Sequence, residues 1–70
     1  MKHEEYIRTY TGQVLGILAT DTYGDITVYE YPSRRILGYY RKKQDVTTDL
    51  LGRVLARGNI AASLVFQNKQ

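Results

Sequence analysis

Five of the ten Lys and Arg residues fall within one short stretch: Arg34, Arg35, Arg41, Lys42 and Lys43. Tyr31, Tyr39 and Tyr40 lie beside them. Guanidinium forks suit phosphate oxygens and tyrosine rings suit stacked bases, so these are the residue types of a strand-based nucleic-acid surface. Arg8, Arg53 and Arg57 would extend such a patch. The two halves of the cluster sit at opposite ends of one expected strand, about 20 Å apart at ~3.3 Å per residue. The same residues also have a purely structural reading. Charges gather at strand ends and turns, lysines on an edge block unwanted sheet pairing, and tyrosine is a good strand former with an apolar ring and a wet hydroxyl.

Catalysis finds little to work with. A nucleophile needs a base beside it, and the single histidine, His3, stands near the N-terminus. Thr47-Thr48 has no such base in the sequence around it. Asp45 and Asp49, four apart, share one face of an expected strand, but acids on a surface strand commonly serve solubility. Gly12 and Gly16 lack the Lys-Ser/Thr ending of a phosphate loop. The absence of cysteine removes disulfides and thiolate metal sites. No catalytic, metal or cofactor site is expected.

Seventy residues make one small domain. A chain of this size buries only roughly 60% of the surface it exposes when unfolded, so its own core is marginal. With no disulfide, homo-oligomerisation is the expected means of completing it. The formal net charge of +3 is mildly basic. No stretch approaches the roughly 20 apolar residues of a membrane helix, and no apolar run follows the N-terminus as in a signal peptide. A cytoplasmic protein without membrane contact is the expectation.

The elements that would position these residues are hairpins. Glu5–Tyr10 alternates with the period of a strand, Thr11-Gly12 supplies a tight turn, and Gln13–Thr20 returns. Asp21 to Asp25 is an Asp- and Gly-rich turn. Ile26–Tyr31 is the strongest strand signal, Pro32-Ser33-Arg34 turns the chain, and Arg35–Arg41 returns. After the polar turn Lys42-Lys43-Gln44, Asp45–Leu50 and Arg53–Arg57 form a third hairpin about Leu51-Gly52. Gly58-Asn59 is a breaker and an N-cap. Beyond it Ile60, Ala61, Leu64 and Val65 fall on one helical stripe. A short helix is favoured there because adjacent alanines are poor strand formers, although Leu64-Val65-Phe66 also fits a seventh strand. The expected fold is a mainly β antiparallel meander of three hairpins with a short C-terminal helix. Residues 1–4 read as a flexible tail and 67–70 as a frayed end.

The three returning strands repeat a phrase. A turn, a polar residue, a β-branched residue, Leu and then Gly or Ala occur at Val14-Leu15-Gly16, Ile36-Leu37-Gly38 and Val54-Leu55-Ala56. The middle copy has a longer, doubly basic turn, Pro32-Ser33-Arg34-Arg35. Strict alternation puts Val14, Gly16 and Leu18 on one face and Leu15, Ile17 and Ala19 on the other, so both faces are apolar. One short helix cannot cover both. The surplus face is expected to meet another copy, with Gly16, Gly38 and Ala56 allowing close approach; relief of crowding or local bulges would use the same small residues.

Residues 10 to 58, with their glycine turn followed by Val-Leu-Gly or Val-Leu-Ala, resemble the small uncharacterised four-fold β-flower domains. That resemblance implies hairpin petals arranged about a four-fold axis, hence an oligomer, and implies no catalytic residue. The sequence thus leads to a non-enzymatic interaction or accessory protein that binds itself, or a protein partner, through an apolar sheet face. The alternative is a nucleic-acid-binding module using Arg34, Arg35, Tyr39, Tyr40, Arg41, Lys42 and Lys43.

Overall fold

The computed structural model describes residues 3 to 68, with only the backbone of Asn68. In chain order the elements are β1 (His3–Arg8), β2 (Val14–Thr20), β3 (Ile26–Glu30), β4 (Ile36–Arg41), β5 (Val46–Asp49), β6 (Val54–Arg57) and α1 (Ala61–Asn68). The strands form one sheet in the order β1-β2-β3-β4-β5-β6, every neighbour antiparallel. This is the expected meander: β1–β2, β3–β4 and β5–β6 are hairpins 1, 2 and 3. No described helix is long and apolar enough to cross a membrane.

Two boundaries differ from expectation. Strand β1 already begins at His3, paired with Thr20, and Glu4 pairs with Ala19, so residues 3 and 4 are strand rather than tail. Acidic residues are weak strand formers, but β1 is an outer strand on which these side chains face water. Helix α1 continues through Gln67 to Asn68. Residues 1, 2, 69 and 70 of the expected tail and frayed end lie outside the described residues.

The sequence repeat is a structural repeat. In hairpin 1, Thr9 N–H donates to the Gln13 carbonyl at 2.9 Å, and Gly12 N–H donates to that of Thr9 at 2.9 Å. Hairpin 3 closes the same way through Asp49 and Arg53 at 2.9 Å and Gly52 and Asp49 at 3.1 Å. Such three-residue loops place their last residue at positive φ, and Gly12 (94°) and Gly52 (89°) supply it. Hairpin 2 closes between Glu30 and Arg35 at 2.7 Å with one more residue in its loop, and Arg34 holds the positive-φ place at 61°. The Tyr31–Pro32 bond in that loop is cis.

Each returning strand then carries a bulge at the same residue of the phrase. Ile7 pairs with Gly16 but Arg8 pairs with Val14, which leaves Leu15 as the extra residue. Leu37 is extra between Ile36 and Gly38, and Leu55 between Val54 and Ala56. The bulge overrides strict alternation. Val14 lies on the face of Arg8, opposite Gly16, where uninterrupted alternation would put the two together.

Helix α1 packs on one face of the sheet, against β2, β3 and β4. Its Ala61, Leu64 and Val65 meet Leu18 and Val28 to form the buried core, the stripe that the spacing of the apolar residues predicts. Burying Leu64 and Val65 is worth roughly 1.5–3 kcal/mol each. The glycines of the repeat are the seats of the helix. A Cβ at Gly16 would stand 2.6 Å from Val65 Cγ2 and 2.7 Å from the Tyr29 carbonyl oxygen. A Cβ at Gly38 would stand 2.8 Å from Leu64 Cδ1 and would collide with the Thr48 carbonyl oxygen. The close packing expected between copies at Gly16 and Gly38 is therefore filled by the chain's own C-terminal segment. Ala56, at the edge, is half-buried.

Thr47 ties the helix to the third hairpin. It occupies the place of Ile7 and Val28 in the other two, opposite the small residue, and it is fully buried. Its hydroxyl donates to the Gly58 carbonyl at 2.7 Å and accepts from Ile60 N–H at 3.0 Å. Asn59 Oδ1 then accepts from Ala61 N–H at 3.0 Å, the expected N-cap.

Candidate interaction surfaces

Among the described residues there is no enclosed pocket and no group of three or more His, Cys, Asp or Glu placed to hold a metal. The two acids expected on one strand are separately engaged. Asp45 sits in the β4–β5 turn and accepts from the Tyr40 hydroxyl at 2.7 Å. That bond holds the Tyr40 hydroxyl above its ordinary value of 10.0. Asp49 accepts from Leu51 N–H and Arg53 N–H at 2.9 Å and from Arg53 Nε at 2.8 Å. The Arg53 backbone donor, with its side chain and the Leu51 amide, keeps the Asp49 carboxyl below 3.8. Thr47 is a structural clip, and the Thr48 hydroxyl bonds the Asp49 carbonyl at 3.2 Å.

The basic cluster is divided. Arg34 and Arg35 lie at the tip of hairpin 2, and Arg41, Lys42 and Lys43 at the other end of β4. Arg35 pairs with Glu30 at 3.7 Å and Arg41 with Asp25 at 4.0 Å. The Lys42 stem lies against Gly24, and its backbone N–H donates to Asp25 at 3.0 Å. Tyr39 and Tyr40 point to opposite faces. Tyr40 packs beside the helix-side core, whereas Tyr39 is on the helix-free face with the Arg41 guanidinium 4.9 Å from its ring centre.

The register identifies further residues on that helix-free face. One row across the sheet is Tyr6, Ile17, Tyr29 and Ile36. The next runs Glu4, Ala19, Thr27, Tyr39, Thr48 and Val54. Ile17 is fully buried there between its register partners Tyr6 and Tyr29, so the face hides its centre with its own side chains. Arg8 stands 5.9 Å from the Tyr6 ring centre, and Arg57 lies two strands from Arg41, across Val46. Tyr6 and Tyr29 become visible as members of this face only once the pairing is known.

Exposed apolar surface gathers elsewhere, on hairpin 3. Leu50 is 52% exposed, Leu51 79%, Val54 60% and Leu55 49%. Their equivalents Val14 and Leu15 in hairpin 1, and Ile36 and Leu37 in hairpin 2, are half-buried. Leu15 and Leu37 pack against the helix-side core, which Leu55 does not join, and the next hairpin lies alongside each of their strands. Strand β3 covers β2, with Tyr31 N–H donating to the Leu15 carbonyl at 3.1 Å, and β5 covers β4; β6 ends the sheet. The sequence signal was a Leu-Leu pair at a loop tip, where the other copies place Tyr-Thr and Tyr-Pro-Ser. No family model, curated protein or solved structure matches the chain.

Proposed function

We propose that the chain is a non-enzymatic interaction protein whose docking surface is hairpin 3, and that it works as a homo-oligomer. The observation that carries this reading is the exposure of Leu50, Leu51, Val54 and Leu55 on one hairpin at the end of the sheet. Exposed apolar side chains beside an outer strand suit a pairing surface, because association removes apolar area from water while the edge gains backbone partners. Sedimentation velocity from low to several hundred micromolar tests it. The wild type shifts to larger species, and Leu55→Asp stays monomeric with an unchanged circular dichroism spectrum. A wild type that remains monomeric throughout refutes the reading.

A second reading draws on the Arg8–Tyr6 and Arg41–Tyr39 stacks, both on the helix-free face. Stacked guanidinium and phenol groups offer single-stranded nucleic acid both a cation and an aromatic plane. Binding to a mixed-sequence oligonucleotide that falls steeply with salt, and is lost in Arg8→Glu with Arg41→Glu, supports it. No binding at low salt removes it.

A further inference from the structure

We infer a second, weaker contact between copies at the other end of the sheet: β1 pairs with β1 of another copy running in reverse, Glu4 against Arg8 and Tyr6 against Tyr6. Strand β1 is the outer strand opposite β6, so this contact stands apart from hairpin 3. Its backbone is open to pairing. Thr9 N–H donates to the Gln13 carbonyl, and the Thr9 carbonyl accepts from Gly12 N–H, so both groups of Thr9 point toward the returning chain. That direction alternates along a strand, and the extra residue of hairpin 1 lies on β2, which leaves the alternation of β1 unbroken. Arg8, Tyr6 and Glu4 therefore turn their N–H and C=O groups to the open side.

The side chains of the same three residues share the helix-free face. Read along the edge they are an acid, an aromatic ring and a base, a series that becomes its own complement when reversed. A two-fold axis through the Tyr6 pair sets Glu4 of each copy opposite Arg8 of the other. It also brings together two rings that are each 41% exposed in the single chain. Opposite charges and aromatic pairs directly across strands are stabilising. Arg8 Nη1 donates to the Gly12 carbonyl at 3.2 Å, and the guanidinium keeps further N–H groups for a carboxylate. On the other face Glu5 falls opposite Ile7. One register step in one direction would set Glu5 against Glu5, and one step in the other would leave Glu4 opposite Tyr10. Charges on an edge reject most strands, but this order admits its own copy, and the contact is isologous. Its ion pairs are exposed and each contributes little, so it forms at higher concentration than a contact that buries leucines.

The test is made in Leu55→Asp, which lacks the hairpin 3 contact, at millimolar concentration, so its outcome does not depend on hairpin 3. Amide exchange of Tyr6 and Arg8 should slow several-fold as the concentration rises into that range, while Ile7, already bonded to β2, changes less. Adding Glu4→Arg sets guanidinium groups against Arg8, and adding Arg8→Glu sets carboxylates against Glu4, so each variant is monomeric alone. The equimolar mixture restores opposite charges at both positions and associates. A mixture that stays monomeric overturns the inference, as does association that persists undiminished in either variant alone. Tyr6 and Arg8 amides indifferent to concentration also overturn it. Circular dichroism checks the folding of each variant, and the amide readout, which needs no substitution in β1, decides the case if one does not fold.

Discussion

Hairpins 1 and 2 stand against hairpin 3 as two outcomes of one design. Hairpins 1 and 3 close around the same turn, hairpin 2 around one a residue longer, and all three carry the same extra leucine after a β-branched residue. In the first two, the glycine after that leucine receives a side chain of α1 and the next hairpin lies over the returning strand. In the third, Ala56 replaces glycine, Thr47 replaces the apolar residue opposite, and β6 has no following strand. A closely similar local phrase is therefore half-buried in two places and surface in the third. Position in the sheet acts together with Ala56 and Thr47 to set the difference.

The sharpest way to separate the two kinds of hairpin is to place a valine at the equivalent position of each. Gly16→Val forces a Cβ against Val65 and the fixed Tyr29 carbonyl, and we expect a loss of about 3 kcal/mol in urea unfolding. Ala56→Val at the equivalent edge position costs under about 1 kcal/mol, because a half-buried site can give way. Equal losses would mean that the glycine seats are not what distinguishes the hairpins.

Thr47 gives the next largest effect. Thr47→Val keeps the shape but leaves the Gly58 carbonyl and the Ile60 amide without their partner, and it is expected to cost about 2 kcal/mol. Val28→Thr, the same exchange reversed in hairpin 2, also destabilises by burying a hydroxyl in the apolar core. Thermal unfolding of the two variants checks both; a neutral Thr47→Val would show that the clip is dispensable.

The hairpin 2 loop sharpens the comparison further. Arg34 holds a φ of 61° where the other copies use glycine, and a residue with a Cβ is strained there. Arg34→Gly should raise stability by about 1 kcal/mol despite removing a charge, measurable as a higher urea midpoint. A lower midpoint would mean that the Arg34 side chain contributes more than its backbone costs.

The smallest effect is a pH dependence confined to hairpin 3. Asp49 is held below 3.8 in the folded chain, so its contribution is present above the unfolded value and is lost as pH falls through the lowered native one. The equivalent residue of hairpin 1 is Thr9, which accepts from Gln13 N–H at 3.2 Å and does not titrate in this range. Amide shifts at Leu51 and Arg53 should therefore move on acidification while those at Gly12 and Gln13 do not, and Asp49→Asn should remove the difference.

Much of this architecture was legible in the residues. Gly12 and Gly52 announced their turns, Asn59 its cap, and Ala61, Leu64 and Val65 the buried side of the helix. The place of the bulges, at the leucine before each small residue, was not legible. Val14 to Ala19 is apolar on both faces, so alternation through Leu15 gives no sign of an extra residue. The start of β1 was hidden because Glu4 and Glu5 are poor strand formers whose exposure on an outer strand makes them acceptable. Gly16 and Gly38 are points of close approach, but what approaches them is set by the path of the C-terminal segment. Tyr39 and Tyr40, adjacent in β4, fall on opposite faces of the sheet, as strand alternation requires. The candidate docking surface was the least legible, because nothing in Val54-Leu55 distinguishes it from Val14-Leu15 except the absence of a following strand.

Amide hydrogen exchange across a protein dilution series tests that last distinction directly. If hairpin 3 is the surface through which copies associate, protection of Val54 to Arg57 rises with concentration, while that of the covered strands β2 and β4 stays constant. Protection of β6 that does not change with concentration would contradict the account.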